Sequence, residues 1–215
     1  MINWYKTPKL LQRMFPKRVW SFPEKQNTVF LTFDDGPIPD VTPWVIDTLR
    51  EHDAKATFFC IGENVKKHPE IFRSLIDSGH SIGNHTYNHL NGWKTNNSRY
   101  LKNVALFEKE MKTQIELSKN NNPKPLFRPP FGKINSTQSK ALQRRGYKII
   151  MWDVLTGDYN TSINKEKCLQ NVLQNIAQGS IVVFHDSIKA EQNLRYVLPK
   201  VLNFITEKGW KCEKI

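Results

Sequence analysis

Asp34 and Asp35 stand side by side at the end of Thr28-Val29-Phe30-Leu31-Thr32-Phe33, a stretch that is β-branched or aromatic at nearly every position and reads as a buried strand. Two carboxylates at the mouth of a buried strand are expensive unless a cation lies between them. Adjacent side chains on a regular strand point to opposite faces, so both can serve one site only where the strand breaks, and Gly36-Pro37 forces that break. The pair therefore asks for a positive ion and for further ligands. His85 and His89 are candidates: four apart, they would share one face of a helical turn, entered through Gly83-Asn84. Two imidazoles and a carboxylate leave at least one position open, the arrangement of a catalytic zinc. The same set serves non-haem iron oxygenases, whose all-β sheets this chain's alternating pattern does not resemble.

Two more segments could add to such a site. Arg128-Pro129-Pro130-Phe131-Gly132 follows a short strand; it reads as a rigid turn, and its arginine can hold a carboxylate ionised through the planar guanidinium. His185 ends the apolar run Ser180-Ile181-Val182-Val183-Phe184, where a single histidine is as readily a core or loop residue as a functional one.

The elements that would position these residues alternate. Strands are expected at 28–33, 55–61, 80–82, 126–127, 147–152, 180–184 and 210–212. Helices are expected from Asp40 or Thr42 to Glu51, His68 to Asp77, Ser98 to Leu117, Ser136 to Arg145, Lys165 to Ala177 and Glu191 to Glu207, with a polar break at Lys119 to Pro125. Strands alternating with helices mean parallel βαβ units and an α/β domain. Six or seven such units favour a closed or nearly closed barrel over an open sheet. Functional groups of such barrels lie at the carboxyl ends of the strands, where Asp34, Asp35, His85, Arg128, Asp153, Asp158 and His185 all fall.

Composition sets the bounds. At 215 residues with 39% hydrophobic and 24% charged residues, the chain suits one core with an appendage. The net charge of +12 favours neutral or anionic partners, but its lysines and arginines are spread along the chain, and nucleic acid is not expected. Cys60, Cys168 and Cys212 show neither CxxC spacing nor an even count, so no disulfide framework or thiolate zinc site is expected. No run approaches a membrane span, no export signal is recognised, and the expected compartment is the cytoplasm. Residues 1–27 form a basic, aromatic extension, with Leu10, Leu11, Met14 and Phe15 at helical spacing between Pro8 and Pro16. It is expected to pack on the domain at 28–215, with weak membrane-surface contact as a second reading.

In chain order, Thr32 to Pro37, Gly83 to His89, Arg128 to Gly132, Trp152 to Tyr159 and Ile181 to His185 resemble the five motifs of the polysaccharide deacetylases, carbohydrate esterase family four, with the nodulation-type deacetylase domain. The resemblance spans about residues 28–210, and the first three motifs match in full.

This resemblance implies a single-domain distorted (β/α) barrel of about seven parallel strands that removes acetyl groups from an N-acetylated glycan. It implies that Asp35, His85 and His89 bind a divalent metal, usually zinc, with cobalt or nickel also fitting. Asp34 would be the base, Arg128 would orient it, and His185 would be the acid, supported by Asp158 in preference to Asp153. A backbone N–H near Phe131 would face the developing oxyanion. Tyr159 stands where many relatives carry tryptophan, which bears on the shape of the groove; it still offers a flat wall. Ile181 and Val183 replace common leucines. A monomer is expected. An O-acetyl esterase acting on xylan-like glycans, or a non-catalytic carbohydrate-binding relative, are the alternatives.

Overall fold

In the computed structural model, which describes residues 4–116 and 125–215, strand β1 (Thr28–Asp34) is buried along its whole length and lies at the centre of the sheet. Its neighbours are β2 (Thr57–Cys60) and β7 (Ile181–His185), both parallel to it. Outward from β2 come β3 (Ser81–Asn84), β4 (Leu126–Phe127) and β5 (Lys148–Ile149), and outward from β7 comes β6 (Val154–Leu155). These seven strands are joined by parallel pairings throughout, and β8 (Lys211–Cys212) adds parallel to the start of β1. The sheet is a curled, incomplete barrel.

Alternation along β1 decides what lies inside. Phe30 joins Phe59, Leu126, Ile150 and Ile181 in an interior cluster. Thr32 and Asp34, at i+2 and i+4, follow Phe30 on that face. Val29, Leu31 and Phe33 face outward onto helices α2 (Val41–Glu51) and α8 (Glu191–Glu207), whose Val45, Leu49, Leu194 and Val201 are fully buried against them. Phe33 stacks between Phe58 and Phe184, with ring centroids 4.9 and 5.6 Å away. The other helices are α1 (Lys9–Met14), α3 (Gly62–Lys67), α4 (Pro69–Asp77), α5 (Asn97–Glu116), α6 (Ser136–Arg144) and α7 (Lys165–Leu173).

No ladder joins β5 to β6 among the described residues, and the first part of the chain stitches that seam. The Val19 N–H donates to the Ile149 carbonyl at 2.9 Å, and the Met151 N–H donates to the Val19 carbonyl at 2.7 Å. Nearer β6, the Thr7 N–H donates to the Asp153 carbonyl at 2.8 Å and the Leu155 N–H to the Tyr5 carbonyl at 2.9 Å. Lys6 Nζ lies 2.8 Å from Asp153 Oδ2. The extension thus satisfies edge groups that an eighth barrel strand would otherwise take.

Several expectations are corrected. The run 147–152, read as one strand, gives only β5; beyond it the backbone bends, because Ile150 and Met151 turn their carbonyls to Arg128, and pairing resumes separately as β6. Helix α3 is not among the expected helices: it is six residues long, and Val65, buried, is its one apolar side chain, too little for a periodic signal. Gly83 lies inside β3 rather than in a turn, where a Cβ would come within 2.3 Å of the Phe59 ring. Residues 119–124 of the expected polar break lie outside the described residues.

Candidate active site and metal centre

The aspartate pair shares one site through a backbone change at a single residue. Asp34 ends β1 on the interior face, and Asp35 then takes φ +86°, a left-handed conformation that swings its side chain to the same side. Three contacts hold that turn. Asn64 Nδ2 of α3 donates to the Asp35 carbonyl at 2.7 Å, the Asp35 N–H donates to the Phe59 carbonyl, and the Gly36 N–H donates to Asp186 Oδ1 at 3.0 Å. Only glycine fits at 36, since a Cβ there would lie 1.9 Å from Asp186 Oδ2.

His85 and His89 do not share a helical turn. The chain from 85 to 90 is a loop after β3, with Thr86 at φ +65° and His89 at φ +53°. Side chains shape it: Asn84 Oδ1 accepts from the Thr86 N–H, Thr86 Oγ1 from the Leu90 N–H, and Asn103 Oδ1 of α5 from the Tyr87 and Asn88 N–H groups. The result resembles helical spacing in effect, with the two imidazole rings 5.1 Å apart. His85 Nδ1 lies 2.8 Å from the Arg128 carbonyl and so carries the hydrogen, leaving Nε2 free to ligate. Burial, its largest influence, lowers the His85 pKa to about 4, so the ring is neutral.

Asp35, His85 and His89 offer three ligand atoms that all lie within 4.8 Å of one another. Asp35 Oδ1 is 3.7 Å from His85 Nε2 and 3.3 Å from His89 Nε2. That oxygen is buried with no hydrogen-bond partner among the described residues. Ligand atoms ~2.0–2.2 Å from a tetrahedral ion are themselves a little over 3 Å apart. The spacing, the neutral imidazole and the orphaned carboxylate oxygen all fit a divalent cation.

Asp34 stands beside this triad, with Oδ2 3.9 Å from His85 Nε2. Its Oδ1 accepts from Arg128 Nη1 at 2.8 Å. Arg128 is fully buried in the barrel; it also donates to Thr32 Oγ1 and to the Ile150 and Met151 carbonyls, and its guanidinium carbon sits 4.1 Å over the Phe59 ring. Burial is the largest influence on Asp34 and opposes its charge, but Arg128 above all, with the His185 imidazolium, outweighs it and holds the carboxyl below its usual pKa.

Across the β1–β7 pairing, His185 is in register with Asp34. Its Nδ1 lies 2.8 Å from Asp158 Oδ1, and its backbone N–H donates to Asp158 Oδ2 at 2.8 Å. Burial disfavours the imidazolium most strongly, yet Asp158, aided by Asp35 and Asp34, overcomes it and raises the pKa to about 9. Tyr159 sets its ring edge-on to His185 at 4.9 Å. Asp153 goes elsewhere, to Lys6, Ser180 Oγ and the Ile181 N–H. Phe131, at φ +60°, is exposed, and its ring lies 4.5 Å from that of His89.

Sequence reasoning missed Asp186, Asn64 and Asn103, which build the loops without entering the site. Asp186 alone left a signal, as a carboxylate directly after His185. It is buried, and Thr42 Oγ1 donates to its Oδ2 at 2.7 Å. Burial, reinforced by Asp35, pushes its pKa up to about 8 against the opposing hydrogen bonds.

Residues 22–150 match the sequence model of a family described as polysaccharide deacetylase. Two Bacillus cereus proteins named peptidoglycan-N-acetylglucosamine deacetylase are similar. One is 37% identical over 169 residues, 78% of this chain and 59% of its own length, and the other is 32% identical over 197 residues, 89% of this chain and 88% of its own. The chain thus spans little more than half of the first and most of the second. A crystal structure of a peptidoglycan N-acetylglucosamine deacetylase in complex with 4-naphthalen-1-yl-N-oxidanyl-benzamide superposes with a TM-score of 0.87 at 31% identity, covering 97% of this chain and 95% of that one. With the family's sequence model spanning more than half its residues and such likeness along nearly its whole length, this chain belongs to the polysaccharide deacetylase family.

Proposed function

We propose that the chain hydrolyses the N-acetyl amide of a glycan, with Asp34 as base, His185 as acid and Asp35, His85 and His89 as ligands of a divalent metal, zinc foremost. The observation that carries this reading is the opposed charging of Asp34 and His185, in register on adjacent strands beside the three-ligand cluster. A carboxylate held ionised and an imidazole held protonated are the pair that amide hydrolysis needs, one to take a proton and one to give it. A divalent ion held by the cluster would acidify a water molecule and polarise the amide carbonyl.

Asp34 accepts the proton of the attacking water, and Arg128 keeps it oriented and ionised while it does so. His185 protonates the departing amine, with Asp158 supporting the imidazolium beforehand. The left-handed backbone at Phe131, whose ring abuts His89, supports a role for its N–H at the developing oxyanion, where one such donor is typically worth ~3 kcal/mol. The Tyr159 ring beside His185 supports a wall for the acetyl methyl or a sugar face.

The reading is tested by acetate release from N-acetylglucosamine oligomers, before and after chelation and again after zinc is restored. Release that chelation stops and zinc restores is expected. Preferential release from acetylated xylan would move the assignment to an O-acetyl esterase, and metal binding without release from either would point to another acyl substrate. Asp34→Asn should retain the metal and lose turnover by ~10²–10⁴-fold.

A further inference from the structure

Helix α1 is seated from one side only. Leu11 and Phe15 pack against the cluster that holds Trp20, Leu142, Tyr147 and Ile149, and Gln12 Nε2 donates to the Thr7 carbonyl. Bonds on either side of the helix, at Tyr5 to Thr7 and at Val19, fasten it across the barrel seam. On its outer side Leu10 is 72% and Met14 64% exposed, an i, i+4 stripe that contributes nothing to the core. Trp4, earlier in the same extension, is 48% exposed. Lys9 and Arg13 form the neighbouring i, i+4 stripe, and Lys17 follows; all three are exposed. None of the three has an ion-pair partner among the described residues. From Met1 to Pro23 the sequence holds no acidic residue, the first being Glu24.

From this arrangement we infer that α1 is a docking surface for an anionic phospholipid bilayer. Leu10, Met14 and Trp4 enter the boundary between headgroups and acyl chains, while Lys9, Arg13 and Lys17 meet lipid phosphates. An apolar stripe bordered by lysine and arginine, on a segment that carries no carboxylate of its own from Met1 to Pro23, is the kind of surface that an anionic membrane takes up. A stable protein interface buries ~800 Å² on each partner, which three partly exposed side chains do not approach. Lys6 and Arg18, the other cations between Met1 and Pro23, are engaged within the fold by Asp153 and by the Phe15 ring with the Ile134 carbonyl. The inference is independent of the deacetylase reading, since none of these outward residues belongs to the site.

The test is co-sedimentation of the full chain with vesicles of phosphatidylcholine alone and of phosphatidylcholine with about one third phosphatidylglycerol. Binding to the anionic vesicles that weakens with salt, with little binding to the neutral ones, is expected. Each basic residue near such a surface favours partition by about fivefold, so Lys9→Gln, Arg13→Gln and Lys17→Gln together should weaken it by about 100-fold. Leu10→Glu with Met14→Glu should abolish it, while thermal melting and acetate release from a soluble oligosaccharide stay unchanged and certify the fold. Absence of wild-type binding at low salt overturns the proposal, as does equal binding by the Leu10/Met14 variant. A concentration-dependent dimer that the same variant dissociates would assign the stripe to self-association and likewise overturn it.

Discussion

At the scale of single residues, Asp34 and His185 face each other from paired strands, and their environments push them toward opposite charges. The sign of the pH dependence follows. The acid form of His185 is present below about 9 and is lost as pH rises through that value, whereas the base form of Asp34 is lost only below the ordinary carboxylate range. kcat/KM should therefore be flat from mildly acidic to mildly alkaline pH, with its alkaline limb at about 9 or just below, since a cation at Asp35 would weaken one of the pulls on His185. In Asp158→Asn the burial of His185 is no longer opposed by its main partner, so the alkaline limb should move down by more than a unit and activity at pH 8 should fall steeply. Asp186 makes a different prediction. Asp186→Asn keeps an acceptor for the Gly36 N–H and should be close to neutral. Asp186→Ala strands that N–H in the interior and should cost about 1–3 kcal/mol in urea unfolding, with turnover reduced because the Asp35 turn loosens.

At the scale of elements, β1 carries both the core and the chemistry, its alternate residues facing helices on one side and the charged interior on the other. Phe33→Ala removes a ring stacked against two others and should cost about 3–5 kcal/mol while leaving Asp35, His85 and His89 in place. The stitched seam between β5 and β6 has a functional corollary. Residues 149–151 pair with Val19 while Ile150 and Met151 supply carbonyls to Arg128. Lys6→Met unties one end of the stitch and leaves Asp153 buried with only its hydrogen bonds to Ser180 and Ile181. It should lower kcat more than it raises KM, with faster hydrogen exchange at Met151 and Leu155.

At the scale of the molecule, the barrel gathers like and unlike charge into one cavity, and the fold tolerates this by pairing Arg128 with Asp34 and Asp158 with His185, while Asp35 Oδ1 has no hydrogen-bond partner among the described residues. Binding to the folded chain alone stabilises it by mass action, so zinc at a hundred times its dissociation constant should add about 2.7 kcal/mol and raise Tm, and chelation should reverse the rise. An Asp35→Ala variant should show neither change. No helix among the described residues is long and apolar enough to cross a membrane.

Local composition by itself determined much of this protein. Strands ending at Asp34 and His185, helices from Pro69 to Asp77 and from Glu191 to Glu207, and the parallel alternation all follow from runs of apolar residues whose period is set by backbone geometry over a few neighbours. The five motifs likewise pointed to the family. Tertiary structure decided what depends on partners distant in the chain. Arg128 with Asp34, and His185 with Asp158, pairs that the family resemblance already implied, meet in space across 94 and 27 positions. His85 and His89 come together in a loop shaped by Asn103 of another helix, where their spacing alone suggested a helical turn. The bend that splits 147–155 into two strands and the buried Asp186 beneath Gly36 have the same origin. Hydrophobic period is local, whereas the satisfaction of a buried charge or N–H is settled only when the whole sheet has curled around it.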